Sequence, residues 1–144
     1  MKRKTRTITV NDNKYVWWYR VGAGLAEINL SPVNDKTSVI TVNFLCDNAE
    51  ITDKYEKYIG IGKYPEYITV QKDYSLCDIK TVSPKMAAFI LSHLKSDDFV
   101  ARKYISYNGF DLLEEWGFVV NKITDGIYWE INLYSKESYL WNTI

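Results

Sequence analysis

Thr5-Arg6-Thr7-Ile8-Thr9-Val10-Asn11-Asp12-Asn13-Lys14-Tyr15-Val16-Trp17-Trp18-Tyr19-Arg20-Val21 is the stretch from which the fold is read. Two alternating runs, 5–10 and 14–21, flank an Asn-Asp-Asn triplet. Alternation with a period of two signals β-strands, and Asn and Asp tolerate the left-handed backbone of a tight hairpin turn. Taking Asp12-Asn13 as the turn opposes Val10 to Tyr15, Ile8 to Trp17 and Arg6 to Tyr19. Ile8, Val10, Tyr15, Trp17 and Tyr19 then share one face, and Val16, Trp18 and Arg20 share the other.

Outward from this hairpin the β reading continues. Gly22-Ala23-Gly24 breaks the alternation, and 25–30 resumes it with Ala26, Ile28 and Leu30 against Glu27 and Asn29. After a turn cluster at 31–36, Ile40, Val42 and Phe44 oppose Thr41 and Asn43, which completes a four-strand antiparallel meander with one covered face. Residues 46–65 carry acids, tyrosines and two glycines; a short helix at 52–58 or a functional loop is expected there. Further strands are expected at 66–72 and 76–82. Ser83-Pro84 is an N-cap followed by a first-turn proline, and Met86, Phe89, Ile90, His93 and Leu94 recur at helical spacing. A second helix is expected at 98–105. A third is expected from Asn108 to a stop at Gly117, and a hairpin of 118–123 with 127–134 around Asp125-Gly126. Its buried face would be Phe118, Val120, Trp129, Ile131 and Leu133. The expected fold is a single α+β domain over 1–144. Its antiparallel sheet has five to seven strands, formed by the N-terminal meander and the C-terminal hairpin, packed by two or three helices.

The totals narrow the functional classes. A chain of 144 residues suits one domain with a sizeable core. Eighteen Lys and Arg balance eighteen Asp and Glu, so the basic excess typical of phosphate-backbone binders is missing. Lys2, Arg3, Lys4 and Arg6 form a local basic run, read as a solvated tail beside the first strand. No apolar run approaches the ~20 residues of a membrane span. Without a signal-peptide pattern at the start, the expected location is cytoplasmic, with Cys46 and Cys77 as free thiols. Asn, Ile, Lys and Tyr supply over a third of the chain, a bias expected of AT-rich bacterial or mobile-element coding sequence.

No catalytic motif is assembled. His93 is the only imidazole, and it sits on the apolar stripe of its helix, so a structural role is expected over that of a general base. One histidine and two separated cysteines do not make a zinc site. Gly22-Ala23-Gly24 lacks the third glycine and the helix of a dinucleotide fingerprint, and Gly60-Ile61-Gly62-Lys63 lacks the P-loop frame. Asp97-Asp98 and Glu114-Glu115 are adjacent pairs, which diverge on a helix and do not converge on one atom. No cofactor and no metal are expected. Calcium ligation by Asp47, Glu50 and Asp53 lacks the EF-hand spacing.

Three readings follow. The favoured one is a non-enzymatic protein-binding module. Aromatic residues make up 15% of the chain, and the consecutive Trp17, Trp18 and Tyr19 cannot all face one core. Trp18 and Arg20 share a face and are the residue types of interface hot spots; Asp53, Glu56, Tyr58 and Tyr64 would complement a basic partner. An alternative is nucleic-acid binding by a winged-helix order of three helices and a hairpin over 83–134. Its reading helix, however, would carry Asp111, Glu114 and Glu115 and no cation. A further alternative is a small enzyme whose distant carboxylates meet only in the fold.

Ile8-Thr9-Val10, Lys14-Tyr15-Val16-Trp17, Ser31-Pro32 and Ser83-Pro84-Lys85-Met86-Ala87 resemble small bacterial α+β proteins, some of which act as immunity proteins. The resemblance implies an inhibitor or immunity role by direct, stoichiometric binding of another protein, and carries over no functional residue.

Overall fold

The computed structural model describes residues 5–22, 24–45 and 65–124. All but residue 65 of the segment 46–65, expected to hold a short helix at 52–58 or a functional loop, the second hairpin strand at 127–134 and the basic residues 2–4 lie outside them. The first four strands form as an antiparallel meander: β1 (Arg6–Val10), β2 (Asn13–Gly22), β3 (Leu25–Pro32) and β4 (Val39–Leu45). The β1–β2 turn is Asn11-Asp12, with φ of 52° and 65°, the paired left-handed residues of a type I′ hairpin. Ile8 therefore faces Tyr15 and Arg6 faces Trp17, two residues away from the expected register. Asn and Asp serve equally well at either turn position. Because the slide is two residues, every side chain keeps its face.

β5 (Tyr67–Lys72) and β6 (Ser75–Lys80) form a second hairpin. Helix α1 (Pro84–His93) begins as expected: the Ser83 hydroxyl accepts from the Met86 amide at 3.1 Å, and Met86, Ala87, Phe89, Ile90 and Leu91 are buried. The helix expected at 98–105 is absent. In its place stand a 3-10 turn, Ser96–Asp98, and strand β7 (Tyr104–Asn108), which lies parallel to β4. Tyr104, Ile105 and Tyr107 favour a strand, and the open edge of β4 supplies the partner. The sheet is thus mixed, in the order β1-β2-β3-β4-β7, and not purely antiparallel. The element order of a winged helix is also not met.

Asn108 caps α2 (Gly109–Glu115), accepting from the Phe110 and Asp111 amides. Gly117, at φ 93°, ends it; the Phe118 amide bonds Leu113 and the Gly117 amide bonds Glu114, a Schellman closure. β8 (Val119–Thr124) then pairs with β5, giving a second sheet of order β6-β5-β8. The C-terminal region therefore does not extend the meander through this strand. One buried cluster joins Trp17, Ile28, Ile40 and Phe44 of the first sheet to Ile68, Val70 and Ile79 of the second. Met86 and Ile90 of α1, and Phe110 and Leu113 of α2, belong to the same cluster.

Gly109 is where this packing is least forgiving. A Cβ there would fall inside the van der Waals envelope of the Phe44 ring, which is buried and held edge-on by Phe110 at 5.2 Å. Gly109→Ala should cost about 1–3 kcal/mol of stability through overpacking, measured by urea unfolding.

Candidate functional site

Two surfaces of the five-stranded sheet carry side chains that the core does not use. The first is its outer face. Both helices bury their apolar residues in the cluster that holds Trp17, Ala26 and Ile28, so they lie on the Trp17 side of the sheet. Period-two alternation directs Trp18 and Arg20 of β2, Glu27 and Asn29 of β3, Thr41 of β4 and Ser106 of β7 to the opposite side. Trp18, Asn29, Thr41 and Ser106 align as one row across four strands. Trp18 is half-buried, and no helix of the described residues lies over its face.

A chain of polar contacts runs across this face. The Thr41 hydroxyl donates to Asn29 Oδ1 at 2.6 Å, and Asn29 Nδ2 donates to Glu27 Oε2 at 3.2 Å. Arg20 Nη2 lies 3.4 Å from Glu27 Oε1, with the Arg20 side chain 69% exposed and Glu27 18%. An ion pair this exposed adds little stability; its effect is to orient the guanidinium beside Trp18. Sequence reading brought Trp18 and Arg20 together but missed the Glu27–Asn29–Thr41 chain. Those residues were legible only as the polar side of alternating strands. Asp53, Glu56, Tyr58 and Tyr64 lie outside the described residues.

The second surface is a cleft of about 520 Å³ at the turn end of the same sheet. The β1–β2 hairpin contributes Asp12, Lys14 and Tyr15, the β3–β4 connection contributes Val33, Asp35 and Ser38, and Phe99 closes a wall. The connection is held in shape by its own side chains. The Ser31 hydroxyl donates to the Ser38 carbonyl at 2.7 Å, and Asp35 Oδ1 accepts from the Thr37 amide and hydroxyl. Two carboxylates distant in sequence, Asp12 and Asp35, thus border one cavity. Among the described residues neither is hydrogen-bonded to a nucleophile–base pair, and no group of three metal-ligating side chains occurs.

His93 is the last residue of α1 and is exposed. Its ring stacks on Trp116 at 4.3 Å and meets the edge of Phe89 at 4.6 Å, and Nδ1 lies 3.0 Å from the Phe89 carbonyl. The same Nδ1 lies 3.2 Å from the Ser92 hydroxyl oxygen. Gly22 and Gly24 belong to the β2–β3 hairpin, and no helix opens there to bind phosphate. Asp98 accepts from the Lys95 amide at 2.7 Å, and Glu114 and Glu115 are exposed on α2. Cys77 is buried and forms no disulfide.

Comparison with protein families, with curated proteins and with solved structures returns no match. No helix among the described residues is long and apolar enough to cross a membrane.

The fold perturbs the Tyr15 phenol. Burial raises its pKa, because the phenolate loses hydration that the neutral phenol does not need. The folded chain therefore holds this proton more tightly than the unfolded chain. The resulting stability is complete below the ordinary tyrosine pKa of about 10 and is lost as pH climbs through the raised value. Thermal melts in this alkaline range should fall less steeply for Tyr15→Phe than for the parent.

Proposed function

We propose that the chain is a non-enzymatic protein-binding module, acting stoichiometrically on another protein in the manner of a cytoplasmic bacterial inhibitor or immunity protein. The observation that carries this reading is the outer face of the five-stranded sheet. There a half-buried indole, Trp18, stands beside a guanidinium, Arg20, oriented by Glu27. Trp and Arg are the side chains from which binding hot spots are most often built. A residue oriented before contact loses less conformational freedom on binding. Tyr104, 80% exposed on edge strand β7 and directed to the same side as Ser106, extends the available aromatic surface. On this reading Asp53, Glu56, Tyr58 and Tyr64 supply a complementary contact to a basic partner.

The test begins with affinity capture from the native cell and continues with titration of the captured partner. Trp18→Ala should weaken binding by about 2 kcal/mol or more, the hot-spot range, while the variant melts close to the parent. Arg20→Ala should weaken binding in the same direction. Trp17→Ala is the contrast: its indole is buried in the core, and its removal should cost about 3–5 kcal/mol of folding stability. A Trp18→Ala variant that unfolds early, or one that binds the partner unchanged, removes the basis of the reading.

A further inference from the structure

The cleft at the turn end carries an observation independent of the Trp18 face. Tyr15 is 6% exposed, its ring packed on Phe99 at 5.5 Å between centroids. Among the described residues its hydroxyl makes no hydrogen bond, and no fully buried side-chain oxygen or nitrogen is left without a partner. The hydroxyl must therefore keep some accessible area, and Tyr15 is one of the residues that line the cleft. A nine-tenths buried phenol normally satisfies its O–H within the protein. Here it has no such partner, and the residue borders a cavity of about 520 Å³, within the size range of small-ligand sites and far larger than one water.

The charges bordering the same space point to one class of occupant. Asp12 and Asp35 are carboxylates, against the single ammonium of Lys14. Among the described residues only Arg20 and Glu27 form an ion pair, so no ammonium is in salt-bridge contact with either acid. Asp35 uses Oδ1 to hold Thr37, which leaves Oδ2 as an acceptor. Pro32, Val33 and Phe99 supply apolar wall. We propose that this cleft binds an organic cation, an alkylammonium or alkylguanidinium group on a short apolar stem. The cation is held by Asp12 and Asp35, hydrogen-bonded to the Tyr15 hydroxyl, and its stem lies against Pro32, Val33 and Phe99. Such a cation is the end of a lysine or arginine side chain or a free amine; the chemistry is the same.

Titration of the full chain with n-butylguanidinium and n-butylammonium, followed by amide proton–nitrogen correlation spectra, tests this directly. Saturable shifts are expected at Lys14, Val33 and Asp35, and none with butyrate or n-butanol. Asp12→Asn and Asp35→Asn should each weaken binding about tenfold, the scale of one charge-assisted contact. Both replacements preserve local structure, since Asn tolerates the left-handed turn at position 12 and keeps the Oδ1 acceptor for Thr37. Tyr15→Phe should weaken binding roughly fivefold at neutral pH without lowering the melting temperature, as its hydroxyl has no partner to lose. A blocked arginine tripeptide that binds more tightly than n-butylguanidinium assigns the cation to a protein side chain; equal affinity assigns it to a free amine. Absence of saturable shifts, equal shifts with butyrate or n-butanol, or parent-like affinity in the Asp variants overturns the proposal. None of these results bears on the Trp18 face, which is read by partner binding.

Discussion

Strands β2 and β3 pair along eight residues, from Tyr15 opposite Pro32 to Gly22 opposite Leu25, and the rest of the molecule is arranged around that ladder. Its pleat sends Trp17, Ala26, Ile28 and Leu30 to one side, where all are buried. Trp18, Arg20, Glu27 and Asn29 go to the other. A slip of one residue would exchange the two sets, burying the ion pair and exposing the core, so the apolar pattern enforces the register. The helices then have one side of the sheet on which to bury Met86, Ile90, Phe110 and Leu113, and the other side is left for a polar surface.

That polar surface is more ordered than its composition suggests. Asn29 is only 6% exposed although it lies away from the helices, and its amide is satisfied on both ends, by Thr41 and by Glu27. A buried carboxamide without those partners would be costly. With them, it becomes a strut between neighbouring strands. The strut fixes Glu27, and Glu27 aims Arg20. The result is a surface whose charged group is oriented by the sheet itself, a different arrangement from the loop-borne contacts that a long acidic, tyrosine-containing segment would offer.

The cleft follows from the ends of the same ladder. The Asn11-Asp12 turn brings Asp12 to one rim, and Asp35, tied by its own short-range bonds to Thr37, stands at another. The carboxylates lie far apart along the chain, and only the β2–β3 pairing brings their loops together. Tyr15 belongs to both core and cleft: its ring packs on Phe99, and the residue borders the cavity.

Much of this was legible in the residues alone because it depends on neighbours along the chain. Period-two alternation assigned Trp17 and Trp18 to opposite faces, Ser83-Pro84 marked a helix start, and Asn108 and Gly117 marked the ends of another; all of these are local chemistry. What sequence did not disclose depends on partners far away. Residues 104–108 became a parallel strand because β4 offered an unpaired edge, and β8 joined β5 instead of the meander. The Glu27–Asn29–Thr41 chain and the convergence of Asp12, Tyr15 and Asp35 likewise exist only after strand pairing. Backbone preference and side-chain period are properties of a few consecutive residues, whereas the choice of strand neighbour, and every cavity that it encloses, is settled by which distant edges are free to hydrogen-bond when the core closes.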